Sequence, residues 1–221
     1  MTDSGDIFAT GPQPQARIAQ LDGQIPVMLV DDIFADPLGV REMALGLPYE
    51  PAGAHYPGRK AQLPEEHESL ARFLGKVRGA VEQDYLPRIG LLPDGRRPTT
   101  VGKIETDFAI TDVHPSQLTK EQTRPHIDHV PFFGLIYLNP QDRGGTLFFR
   151  AKSQVAPSEP RMGYQVESDD FVQLCGKIEG RFNRLAVYPG FILHTGEVKG
   201  WIETQARFDE PRLTQRIMFF L

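Results

Sequence analysis

Apolar positions recur with two different periods along this chain, and the change between them falls near residue 100. The run IPVMLVDDIF (25–34) is nearly continuous in apolar residues with a polar end, as a buried strand would be. Asp36-Pro37 follows, a residue that caps a helix and one that suits its first turn, and predicts a helix to about Leu47. PYEPAGAHYPGRKAQLP (48–64) reads as a long loop. Leu70, Phe73, Leu74, Val77 and Val81 then fall at helical spacing and predict a second helix from about Glu65 to Tyr85. Beyond it GKIETDFAITDV (102–113) alternates. FFGLIYL (132–138), GTLFFR (145–150), DDFVQLCGKI (169–178), NRLAVYPGFILH (183–194) and RLTQRIMFFL (212–221) are further strand candidates, separated by turn signals such as NPQDRGG and YPG. Short strands with no helical stretch between them indicate a sandwich or barrel. The expectation is a mainly β fold with N-terminal helices: a disordered leader over 1–15, then one domain over 16–221. Within that domain a helical layer (16–99) packs on a β core (100–221).

Composition narrows the function classes. The chain has 221 residues, 40% hydrophobic and 24% charged, with 21 Gly and 19 Pro, a profile of many turns in an ordinary globular protein. Its net charge of −5, without a basic stripe, leaves no footprint for nucleic acid or for an anionic membrane surface. A single cysteine, Cys175, excludes an internal disulfide and a cysteine-based zinc cluster, and reads as a small apolar residue on its strand. No segment approaches the roughly 18 apolar residues of a membrane span, and the polar N-terminus MTDSGDIFATGPQPQ lacks the apolar core of a signal peptide. A cytoplasmic location is expected.

The candidate chemistry begins in TRPHIDHVPFF. His126 and Asp128 are two residues apart, so on extended backbone both side chains share one face, with Ile127 on the other. Alone an HxD pair is a weak signal, because His–Asp pairs are often surface hydrogen bonds. A third ligand is needed from a distant strand, and His194, at the end of GFIL, is the best candidate. Two imidazoles and one carboxylate suit Fe(II) and leave positions open for other ligands. The remaining histidines serve as controls: His55, His67, His114 and His129 have no carboxylate at matching spacing followed by a strand-borne histidine.

PHIDHVPFFGLIYLNPQDRGGTLFFR, then NRLAVYPGFILHTG, then RLTQRIMFFL, resembles the core of the Fe(II)/2-oxoglutarate-dependent oxygenase superfamily, nearest to its prolyl-hydroxylase-like members. The resemblance covers about residues 100–221, and VMLVDDIFADPLGVREMAL is similar to the usual N-terminal opening of these proteins. It implies a double-stranded β-helix (a jelly roll, cupin-like), with Fe(II) on His126, Asp128 and His194. 2-Oxoglutarate is the implied cosubstrate and ascorbate an auxiliary reductant. The implied reaction is hydroxylation of a small molecule or peptide through hydrogen abstraction by a ferryl species.

The resemblance also implies a basic residue for the far carboxylate of 2-oxoglutarate. Arg212 opens the last strand and matches that position; Arg212, Thr214 and Arg216 share a face if the strand is regular, and Arg216 is either a second donor or paired elsewhere. Arg212 follows His194 by 18 positions, a longer interval than is usual in the family, filled by GEVKGWIETQARFDEP with Arg207 inside it. Tyr137 lies where relatives place a tyrosine near the cosubstrate, or is a core aromatic. Tyr56 and Arg59, in the loop HYPGRK, reach the substrate or belong to a plain connection. Arg124 meets an anionic substrate or water, and Trp201 is a candidate lid residue. Two other readings remain: a cupin-like metal enzyme without 2-oxoglutarate, and a non-catalytic jelly-roll binding module. A homodimer is compatible with each.

Overall fold

The computed structural model describes residues 6–53, 56–63, 67–152, 172–198 and 211–221. In chain order its elements are β1 (Ala16–Leu21), β2 (Ile25–Val30), α1 (Pro37–Leu45), β3 (Glu50–Pro51), β4 (Arg59–Ala61), α2 (Glu68–Ala80), β5 (Lys103–Thr111), β6 (Phe132–Tyr137), β7 (Thr146–Ala151), β8 (Val172–Ile178), β9 (Arg184–Pro189), β10 (His194–Gly196) and β11 (Arg212–Phe220).

The strands form a major sheet ordered β1-β2-β9-β6-β11-β5-β4-β3 and a minor sheet ordered β10-β7-β8. An isolated bridge between His126 and His194 adds the HxD segment to the minor sheet's edge. From β5 onward the chain alternates between the two sheets: major at β5, minor at His126, major at β6, minor at β7 and β8, major at β9, minor at β10, major at β11. That winding is a double-stranded β-helix, and the protein is a mainly β jelly roll.

Period-two alternation gives the major sheet two apolar faces. Val27, Leu29, Phe133, Leu135, Tyr137, Ala186 and Tyr188 face inward and meet Phe148 and Ile178 of the minor sheet. Met28, Phe108, Ile110, Phe132, Ile136, Val187, Leu213, Ile217 and Phe219 face outward and are covered by α1 and α2 through Val40, Ala44, Phe73 and Val77. The Asp36 side chain accepts from Gly39 N at 2.9 Å and Pro37 opens α1, as its sequence predicts.

Three expectations change. The leader expected over 1–15 is packed from residue 6: Phe8 is 1% exposed and lies edge-on to Phe34 at 5.9 Å, and Thr10 bridges Phe34. One buried aromatic outweighs the polar composition around it. The run 183–194 is two strands rather than one. It leaves the major sheet after Pro189 and turns at Gly190, where an added Cβ would meet the Val130 carbonyl oxygen at 2.2 Å. The second helix ends in a π-helical turn (Val81–Tyr85), which buries Tyr85 and lets its hydroxyl donate to Pro26 O at 3.0 Å. The β1–β2 hairpin was not foreseen, although Asp22-Gly23, both at positive φ, is its turn signal.

A bidentate ion pair fixes the start of β9. Arg184 donates to both oxygens of Asp31, at 2.6 and 3.1 Å, from a side chain that is itself buried. The Arg184 hydrogen bond holds the Asp31 carboxyl below its usual range despite partial burial. Because the folded pKa is depressed, this stabilisation is present above the unfolded carboxylate range and is lost as pH falls through the folded value. Asp31→Asn should therefore cost about 1–3 kcal/mol at neutral pH, with the gap to wild type closing in acid; urea unfolding at several pH values measures it. Phe8→Ala should cost about 3–5 kcal/mol by the same method, whereas a residue in a disordered leader would cost almost nothing.

Candidate metal centre and its pocket

Two reciprocal backbone hydrogen bonds build the centre: His126 N donates to His194 O at 2.9 Å, and His194 N to His126 O at 3.0 Å. Asp128 N then donates to Gly190 O at 2.8 Å, which holds the HxD segment against the 190–194 turn. Ile127 points the other way into a small apolar cluster with Leu193 and Val172, as period-two alternation requires. The ligand atoms of His126, Asp128 and His194 all lie within 4.8 Å of one another.

The protonation pattern suits a cation. His126 Nδ1 lies 3.1 Å from Arg124 O and His194 Nδ1 lies 2.7 Å from Ile192 O. A carbonyl only accepts, so each Nδ1 carries the hydrogen and each Nε2 of a neutral ring presents a lone pair to the centre. Asp128 Oδ2, 3.1 Å from His194 Nε2, is buried and accepts no hydrogen bond from the described residues while that nitrogen is bare. Three bare donor atoms around one point are an unsatisfied arrangement that a divalent ion completes. Burial and then the neighbouring His194 lower the pKa of His126. Burial opposes ionisation of Asp128, but positive charge at the centre, that of a protonated His194 first, outweighs it and holds its carboxyl low. Burial likewise opposes a charge on His194, but Asp128 outweighs it and raises that pKa, so an incoming cation competes with a proton on His194.

The centre opens into a cavity of about 460 Å³, within the roughly 300–1,000 Å³ of small-molecule sites. Its floor is the inner face of the major sheet. Register sets the rows: Thr111 opposite Arg212, Ala109 between Lys60 and Thr214, and Asp107 opposite Arg216. Small Ala109 and Thr214 leave the space that larger residues would fill.

Arg212 and Arg216 both line the cavity, yet they differ. Arg216 donates to both oxygens of Asp107, Nε to Oδ1 at 2.6 Å and Nη2 to Oδ2. Arg212 is the more buried of the two, but among the described residues it donates only to backbone carbonyls, Arg143 O at 3.1 Å and Gly145 O at 3.3 Å, with its guanidinium 5.8 Å from the Tyr137 ring. Among the described residues no carboxylate pairs with it. The carbonyls that hold it belong to the RGG turn. There Gly144 takes φ 77, and a Cβ on Gly145 would meet Ile178 O at 1.8 Å, so the GGT motif serves to place Arg212.

Thr214 lines the cavity, and so does Tyr56, whose ring lies 5.4 Å from the Arg216 guanidinium. Tyr137 does not: its hydroxyl bonds Thr146 Oγ1 at 2.8 Å and its ring backs Arg212. Arg59 is on the opposite face of β4, exposed and paired with Asp112. Arg124 contributes its carbonyl to His126 while its guanidinium lies 4.0 Å from Glu121. Trp201, Arg207, His55, Glu65 and the start of the 169–178 strand lie outside the described residues. Lys60, Asp107, Thr111 and Tyr188 line or frame the cavity and were missed by sequence reasoning. Only Asp107 had a signal, an acid at an inward position of an alternating strand.

Among the described residues, no helix is long and apolar enough to cross a membrane. No curated protein matches the chain in sequence. Its structure is similar to that of a Pseudomonas putida prolyl-4-hydroxylase, at 16% identity and TM-score 0.42 over 88% of this chain and 86% of that one. It is also similar to the non-haem α-ketoglutarate-dependent epimerase SnoN of nogalamycin biosynthesis, at 11% identity and TM-score 0.45 over 88% and 77%. The carbocyclase SnoK of the same biosynthesis gives 14% identity and TM-score 0.45 over 87% and 78%. A family model matches residues 12–158 and 151–220, and the chain accordingly belongs to DUF6445, a family of unknown function.

Proposed function

We propose that this protein is a non-haem Fe(II)/2-oxoglutarate-dependent oxygenase that hydroxylates a small molecule or peptide. The observation that carries the reading is the pairing, in one cavity, of a two-histidine, one-carboxylate centre with a buried guanidinium that has no carboxylate partner among the described residues. A buried cation held only by carbonyl dipoles is stabilised by an anion, and a planar guanidinium matches a carboxylate in two hydrogen bonds. A dicarboxylate that reaches from the metal to Arg212 satisfies both demands at once.

In this reading His126, Asp128 and His194 hold Fe(II), and the Nδ1–H bonds to Arg124 O and Ile192 O keep the rings aimed at it. Bound Fe(II) supplies the oxidative decarboxylation of 2-oxoglutarate coupled to oxidation of a substrate C–H bond. Arg212 and Thr214 take the far carboxylate, and the Tyr137 ring supports the guanidinium from behind. The Asp107–Arg216 pair forms a neutral polar wall rather than a second cosubstrate anchor. Phe133 and Leu135 give the cavity apolar walls that limit water near the reacting atoms.

Anaerobic titration of the Fe(II)-loaded protein with 2-oxoglutarate should produce a visible charge-transfer band. Arg212→Ala should weaken that binding by about ten- to a hundred-fold and leave metal affinity unchanged. A metal-binding protein whose 2-oxoglutarate response is absent, or indifferent to Arg212, would be the cupin-like enzyme instead. His194→Ala should abolish tight metal binding in equilibrium dialysis; retained affinity would remove the assigned centre altogether.

A further inference from the structure

One more charge in the cavity is unaccounted for. Lys60, on β4, faces inward because its strand neighbours Arg59 and Ala61 face out, and it lines the same cavity as the metal centre. Its ammonium lies 4.8 Å from the centroid of the Tyr56 ring, whose other neighbouring cation is Arg216, and it pairs with no carboxylate of the described residues. The surrounding charges are otherwise matched. Asp107 takes Arg216. A divalent ion with Asp128, and a doubly charged cosubstrate with Arg212, together sum to neutrality. Glu121, at the rim, is about half exposed and lies beside Arg124. Burial, and then the neighbouring Arg216, lower the pKa of Lys60, while Asp107 and Asp128 raise it, so the ammonium is within electrostatic reach of the metal ligands.

We propose that Lys60 is the substrate anchor of this pocket, and that the substrate class is a small acid whose carboxylate, or an equivalent anion, docks on Lys60 against Tyr56. This inference rests on the oxygenase reading, which assigns Arg212 to the cosubstrate and leaves Lys60 for the substrate. An incoming carboxylate gains an ion-paired hydrogen bond in a partly dry site, whereas the matching amide accepts from the ammonium without adding an opposite charge. It also relieves the unfavourable burial of the ammonium. Selectivity for acids over their amides follows from one side chain.

The test uses the full chain loaded with Mn(II) and 2-oxoglutarate, titrated calorimetrically with benzoate, phenylacetate and hexanoate and with the corresponding amides. At least one acid should bind about ten-fold or more tightly than its amide. Lys60→Gln should erase that preference, and Lys60→Arg should keep most of it. The anaerobic Fe(II) and 2-oxoglutarate band should titrate in Lys60→Gln as in wild type. Acids that bind no better than amides, or a preference unchanged in Lys60→Gln, would overturn the assignment. So would a loss of 2-oxoglutarate binding in Lys60→Gln comparable to that of Arg212→Ala, because Lys60 would then belong to the cosubstrate. Failure of the oxygenase reading shows separately, as wild-type protein that binds no 2-oxoglutarate. In that case the acid–amide comparison is run on the Mn(II) protein alone and still decides the role of Lys60.

Discussion

The cost of burying charge governs this molecule. The inner face of a jelly roll is the natural place for apolar side chains, yet here it carries Asp107, Asp128, Arg184, Arg212 and Arg216. Each such group loses several kcal/mol of hydration unless a partner restores it, so its partners reveal its task. Arg184 is satisfied by Asp31, Arg216 by Asp107, and both read as structure. Asp128 and Arg212 are satisfied only in part, and both face the cavity. A fold retains incompletely compensated charges where a ligand completes them, which is why these two groups carry the functional proposal.

Antiparallel pairing turns that electrostatic constraint into geometry. β11 lies between β5 and β6, and its inward residues meet partners at fixed steps on each side. The same register brings Lys60 into the row of Ala109 and Thr214, at the edge where β4 extends the sheet. The minor sheet contributes the candidate metal ligands through the His126–His194 bridge, so that cluster forms only when the two ends of the winding close on each other. The helices take no direct part. They cover the outer face of the major sheet through Phe73, Val77 and Val40, and allow its inner face to be spent on chemistry.

Much of this was legible in the sequence, for reasons that differ by residue. The periods of the apolar pattern placed both helices and most of the core strands. The HxD spacing placed His126 and Asp128 on one face without reference to any other part of the chain. His194 needed the strand pattern, which was right about its position, while YPG signalled the turn at Gly190 where Val130 O approaches closely and GFILH leaves the preceding strand. Phe8 was hidden by its polar neighbours, since a single aromatic produces no periodicity. Lys60 and Tyr188 were illegible, because their meaning comes from what lies across the cavity. Arg59 was misleading: one residue's shift in phase separates it from Lys60, and in a strand that shift reverses the face.

The two arginines of the last strand show most directly what a structure adds. Arg212 and Arg216 are the same residue type, on one face of one strand, and nothing in RLTQRIMFFL distinguishes their roles. Their partners across β5 do. Arg216 falls opposite Asp107, which neutralises it, whereas Arg212 falls opposite Thr111, which cannot. The RGG turn then supplies Arg212 with two carbonyls, enough to orient a guanidinium and too little to cancel its charge. Register therefore decides which arginine is neutralised within the sheet and which has no carboxylate partner among the described residues.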